Sequence, residues 1–349
     1  MPGGVLPYQK EFVSKALMER MPQYDFRIGT LECAVGDSFA YDEEKMRGRA
    51  NIIYARNEDL KRVKEIGIDV VSLANNHVYD LGQDGLKNTL LQLQQLGIMY
   101  CGAGMDDEEA SRPAVVCKDG VSVAFLAYCK FDSPWLGRVK LAGSGSAGVN
   151  PLIKDKVVDE IREAKKMYDV VIILPHWGKE YSHVPLPEDV EMAKAMVEAG
   201  ADAVMGSHTH QIQPLVRYKG VPVCYSMGNF LFPDFYMQPP RPIWYPDELS
   251  IRSEIAAVDD YIFPVNEFVL RVWDSFSRQG MAVNVTIKKG QVSAGNFFTR
   301  LSSDNIIELD NLDGQLRFQI WKESLKLNSD FFRHLLHEVR RFKTHHNQR

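Results

Sequence analysis

Short apolar runs alternate with amphipathic stretches through the first two thirds of the chain, and this alternation predicts strands and helices in turn. Residues 26–31 read as a strand and 57–66 as a helix; 68–73 read as a second strand and 84–96 as a helix that Gly97 ends. Residues 115–117 and 121–128, joined across Lys118-Asp119-Gly120, predict a hairpin. A Gly/Ser-rich loop at 142–148 leads to a helix over 151–167 with Pro151 in its first turn. Residues 169–174 are apolar after Asp169, the pattern of a strand buried on both faces. A helix over 187–198 and strands at 203–205 and 221–226 follow. Beyond Phe232 the alternation dissolves. Residues 233–247 are rich in proline and aromatic side chains and read as an irregular lid or surface loop. Residues 281–288 and 292–298 predict a hairpin, and 314–343 two helices split near Asn328. The economical reading is one layered α/β domain over 1–300, with 233–278 an insert, and a helical extension over 301–349.

Composition narrows the function classes. A chain of 349 residues, 45% hydrophobic and 25% charged, can bury a large core. A net charge of -5 supplies no concentrated basic face, so nucleic acid is not expected as a partner. The one basic cluster, Arg340, Arg341 and Lys343 with His345 and His346, reads as a solvated tail. Cys33, Cys101, Cys117, Cys129 and Cys224 sit in or beside apolar runs without a C-x-x-C pair, which predicts buried free thiols in a reducing compartment. No apolar run reaches the ~18 residues of a membrane span, and the N-terminus lacks a basic-then-apolar signal pattern. As written, the chain reads as cytoplasmic.

Four segments put metal-capable side chains just after predicted strands, where loops of layered α/β proteins converge on ligands. They are Thr30-Leu31-Glu32, Ala74-Asn75-Asn76-His77 with Asp80, His176-Trp177-Gly178 with Glu180, and Gly206-Ser207-His208-Thr209-His210. Each alone has a bland reading: Glu32 as a cap, the asparagines as turn formers, His176 as a satisfied core histidine. Two histidines spaced by two point to the same side of an extended backbone and can reach two adjacent ions. The conjunction decides it, because each segment belongs to a separate predicted strand. Imidazole, carboxylate and amide oxygen together suit one or two divalent transition ions, Mn, Fe, Zn or Co, rather than calcium.

These segments, in this order and followed by Tyr225-Ser226-Met227-Gly228-Asn229-Phe230, resemble the CapA family of poly-γ-glutamate capsule-synthesis proteins. The resemblance covers roughly residues 22–232. It implies a calcineurin-like metallophosphoesterase fold, a β-sandwich flanked by helices. It also implies that Glu32 bridges two metals, that Asn76, His176 and His208 complete the shell of one, and that His210 serves the other. His77 would protonate the leaving group, and Asn75 and Glu180 would orient the ligands. The chemistry implied is attack of a metal-bound hydroxide on a phosphoryl or acyl centre. One departure stands out. The family pattern opens with a strand ending in Gly-Asp, and here no Asp precedes Asp25, which reads as a cap of the Glu32 strand. The first strand is therefore expected to be missing, and one metal position keeps only Glu32 and His210.

Two functions compete on this basis. One is a metal-dependent hydrolase of phosphoester or γ-glutamyl amide bonds, acting on a small molecule or a polyanionic polymer. The other is a catalytically weak accessory subunit of a polymer-synthesis machine that binds through the same pocket.

Overall fold

A computed structural model describes residues 4–5, 11–37, 52–134, 136–237, 269–288 and 290–327. Strands β1 (Ile28–Thr30), β2 (Val70–Ser72) and β3 (Met99–Cys101) form a parallel sheet in that order. A second sheet holds β4 (Ala114–Lys118), β5 (Val121–Cys129), β6 (Val170–His176), β7 (Ala203–Met205), β8 (Leu215–Tyr218) and β9 (Val221–Cys224). Its spatial order is β8-β9-β7-β6-β5-β4, parallel in the middle and antiparallel at both edges. The predicted layered α/β sandwich with flanking helices is the observed architecture.

Strand periodicity sorts the core into two layers. Phe125, Ala127, Ile172 and Leu174 face inward to a cluster shared with Val70, Leu73 and Cys101 of the small sheet. Helix α1 (Gly82–Gln95) closes that cluster with Leu86, Leu90 and Leu93. The alternate residues Ala124, Leu126, Val171 and Ile173 face helices α2 (Lys154–Met167) and α3 (Pro187–Ala199). Helix α2 presents Val157, Ile161 and Ala164, an i, i+4, i+7 stripe, to that layer. Helix α3 starts on Pro187 and ends on Gly200 at φ 118, where a side chain would be strained.

A third, antiparallel sheet joins β10 (Gln279–Lys288), β11 (Gln291–Leu301) and β12 (Ile307–Asp310). It is tied to the loop after β9, where the Met281 N–H donates to the Met227 carbonyl at 2.8 Å. Residues 314–327 are helical, and Leu316 enters the inner cluster.

Several expectations shift. The helix predicted from Pro151 begins at Lys154, because Pro151 still bridges Cys129 and the Leu152 N–H donates to the Cys129 carbonyl. Cys117 is exposed near the end of edge strand β4, whereas the other four cysteines are buried and free. Strand β3, directly after the Gly97 turn, completes the small sheet although its Met99 and Tyr100 carry no alternating signature. Most of the proposed lid (238–247), most of the insert (238–268) and the second C-terminal helix lie outside the described residues. Among the described residues no helix is long and apolar enough to cross a membrane.

Candidate metal centre

The loops that follow β1, β2, β6, β7 and β9 build the site. Thr30 ends β1 two residues before Glu32, β2 leads into Asn75, Asn76 and His77, and β6 ends on His176 itself. The β7 strand leads into Ser207 and His208, and β9 into Asn229. Side chains far apart in sequence thus converge from strands of two sheets, which Thr30 Oγ1 and Ser207 Oγ join at 3.3 Å.

The convergence is tight. Glu32, His176 and His208 offer ligand atoms that all lie within 4.8 Å of one another. Glu32 Oε1 is 3.4 Å from His176 Nε2, 3.9 Å from His208 Nδ1 and 3.9 Å from His210 Nε2. Asn76 Oδ1 meets His176 Nε2 at 2.9 Å, while His176 Nδ1 meets Ser207 Oγ at 2.9 Å. Glu32, His176 and His208 therefore surround one small volume, with Asn76 against His176 and His210 against Glu32.

The donor set fits a cation there on a specific observation. Glu32 Oε1 and both ring nitrogens of His208 are buried with no hydrogen-bond partner among the described residues. Leaving such groups unpaired costs roughly 1–3 kcal/mol each, so three in one volume call for a missing partner. Their protonation states suit it. Burial would raise the Glu32 carboxyl, but the charges of His176 and His210 hold it well below the usual carboxylate range. Burial pushes the His176 and His208 imidazoles down, towards neutral. A carboxylate and neutral imidazoles are the forms that ligate a metal.

The backbone is shaped around these donors. His208 has φ 102 and His210 φ 55, a left-handed region that ordinary side chains avoid and that costs on the order of 1–3 kcal/mol where it occurs. Just before them, Gly206 admits no side chain. A Cβ there would lie 2.1 Å from the Tyr225 carbonyl oxygen and 2.7 Å from the Trp177 indole nitrogen. Trp177, fully buried, donates that N–H to the same Tyr225 carbonyl at 2.9 Å.

Around the cluster sit orienting contacts. Asn75 donates from Nδ2 to the Leu31 carbonyl at 2.9 Å and accepts from the His77 N–H at 3.0 Å, stapling the Glu32 loop to the His77 turn. His77 Nδ1 lies 2.8 Å from Asp80 Oδ2, which also accepts from the Ile53 N–H at 2.6 Å. Glu180, half-buried, acts on His208 through its charge. Asp25 pairs with Lys118 at 3.5 Å on the exposed surface.

Sequence reasoning assigned no role to Asp80, Ser207 or Asn229, although all three lie in or beside the motifs already singled out. It missed Trp273 altogether. The Trp273 ring lies 5.2 Å from that of His210 and 4.6 Å from that of Phe232, and nothing local in the sequence marks it.

A family model described as "Bacterial capsule synthesis protein PGA_cap" matches residues 6–234. The chain is 37% identical over 230 residues to the capsule biosynthesis protein CapA of Bacillus anthracis, covering 64% of this chain and 54% of that one. It is 33% identical over 181 residues to the PGA biosynthesis protein CapA of Bacillus subtilis, covering 52% and 47%. The matches thus span about half the length of these relatives. Among solved structures, a 5'-nucleotidase precursor from Thermus thermophilus overlaps with a TM-score of 0.41 at 15% identity, over 91% of this chain and 52% of that one.

Proposed function

Because the chain belongs to the bacterial capsule synthesis protein family PGA_cap, we propose that it is a metal-dependent hydrolase serving poly-γ-glutamate capsule synthesis, cleaving a phosphoester or γ-glutamyl amide bond. The observation that carries this reading is the buried, unpartnered donor set, Glu32 Oε1 with both His208 nitrogens, beside His176 and Asn76. Purely structural carboxylates and histidines at such depth find hydrogen bonds. Glu32, Asn76, His176 and His208 would hold one divalent transition ion, and Glu32 with His210 a second. A bound ion of this kind supplies Lewis acidity and acidifies water.

The chain's own residues do the rest. His77 is buried on the loop that carries Asn75 and Asn76, with Nδ1 on Asp80. That contact fixes the ring and leaves proton transfer to Nε2, which is the role of a group protonating a leaving oxygen or nitrogen. Asn75 sets the distance between that ring and Glu32 by bonding both loops. Glu180 adds negative charge beside His208 and strengthens it as a ligand.

The test is turnover by metal-loaded protein. Mn-, Zn- or Co-loaded chain should hydrolyse a generic phosphomonoester, a phosphodiester or a γ-glutamyl amide, and His77→Ala should lower kcat without changing metal content. Absence of turnover with every metal and substrate class argues against it. A second reading, an accessory subunit that binds polymer without cleaving it, is favoured by one feature. Among the described carboxylate and histidine side chains, only Glu32 and His210 converge on the second position.

A further inference from the structure

The buried Asp234–Arg278 ion pair and the aromatic group around His210 are not explained by the ligand set. They lie on the segment after Phe232 and on residues 273–278, the latter beyond the stretch the family model matches. Asp234 Oδ1 accepts from the Trp273 N–H at 3.0 Å, and Arg278 Nε donates to the Trp273 carbonyl at 3.3 Å. Arg278 also donates to the Leu301 and Ser302 carbonyls, at 3.3 and 2.8 Å, anchoring the pair to the end of β11. Trp273 is thereby gripped at both sides of its backbone, and its ring is pressed between Phe232 and His210.

The same segment reaches His210 by a second route. His210 Nδ1 lies 3.0 Å from Asn229 Oδ1, so Nδ1 carries the proton and Nε2 is the nitrogen turned to Glu32. The Asn229 amide is held in that orientation because its Nδ2 donates to the Ser277 carbonyl at 3.0 Å. The Ser277 turn is fixed in turn by Asp274 Oδ1, which accepts from the Phe276 and Ser277 N–H groups at 2.9 and 3.0 Å. Ring plane and tautomer of His210 are thus both set from residues 273–278.

We propose that residues 273–278 are the positioning element of His210, with Trp273 fixing the ring and the Asp274–Ser277–Asn229 relay fixing the tautomer, and that they preorganise the second metal position. This rests on the metal-centre reading above. A merely structural role predicts loss of stability without any preference between ions, because Trp273 also belongs to a small apolar cluster with Leu17, Phe232 and Ile307. The positioning role predicts a selective loss.

The experiment is calorimetric titration of the chelator-stripped full chain with Co2+, each variant checked for its fold by thermal melting. Wild type should show a tight and a weaker step, with His210→Ala removing the weaker one. Trp273→Ala should weaken the weaker step by about tenfold or more, the usual loss on removing an orienting contact, and leave the tight step within about twofold. Trp273→Phe should restore most of it. Asp274→Ala, an exposed change that spares the apolar cluster, should weaken the same step. Equal weakening of both steps, or none in either variant, overturns the proposal, as does a single step that His210→Ala leaves intact. Wild type that binds no Co2+ overturns the metal-centre reading and the proposal with it; two steps without selective loss overturn the proposal alone.

Discussion

The two halves of the site are built differently. The half made by Glu32, Asn76, His176 and His208 lies on, or within four residues of, the ends of parallel strands in the two sheets, so those strands set its geometry. The half made by His210 hangs two loop positions beyond His208, both residues being left-handed, and its ring is held by Asn229, Phe232 and Trp273. A strand end confers position through backbone hydrogen bonds shared with its neighbours. A loop residue has to be given position by its surroundings. The lesson is that the first half should bind an ion tightly and tolerate change at a distance, while the second depends on its walls.

The largest expected effect tests the shared donor. Glu32→Gln should abolish both binding steps in a calorimetric titration, since the carboxylate faces His176, His208 and His210 at once. Retention of either step at wild-type affinity would break the comparison at its centre. His208→Ala should remove the tight ion alone, read as loss of one equivalent by elemental analysis after gel filtration. Asn75→Ala should act on both halves but more weakly, by roughly 10–100-fold in affinity, because it loosens the Leu31 carbonyl that carries Glu32 rather than any donor atom. Unchanged affinity in both steps with a lowered kcat would show that Asn75 positions His77 instead.

Changing pH gives the smallest effect and sharpens the contrast. In the metal-free chain, burial depresses His176 and His208 below their unfolded values, so the unfolded chain takes up protons first as pH falls through about 6.5. Stability contributed by this pair is full above that value and is lost as pH drops below it. The depressed Glu32 carboxyl acts in the same direction at lower pH, present above about 4.3 and lost as its folded value is approached. Metal-free protein should melt progressively lower between pH 7 and 5, and His208→Gln should flatten that slope. An unchanged slope would mean that His208 does not titrate with unfolding.

What could be read in the sequence follows the same division. The β5–β6–β7–β9 core was legible because each strand carries an apolar run, and polar site residues follow β6, β7 and β9 within a few positions. The convergence of Glu32, His176 and His208 was therefore foreseeable from order alone. Strand β3 and the start of helix α2 were less so, because pairing with neighbours overrode the local signals of Met99 and Pro151. Trp273 was illegible for a stronger reason. Its contact with His210 spans 63 positions of chain and is set by a buried ion pair between Asp234 and Arg278, neither of which has any sequence signature.

The central claim is that Glu32, His176 and His208 hold a transition ion, and anomalous X-ray diffraction from crystals of the chain soaked in Mn2+ or Zn2+ tests it most directly. The strongest anomalous peak is expected among Glu32 Oε1, His176 Nε2 and a His208 nitrogen, with any second, weaker peak between Glu32 and His210. An ordered site with no anomalous density among these three side chains, or a strongest peak elsewhere on the molecule, would contradict it.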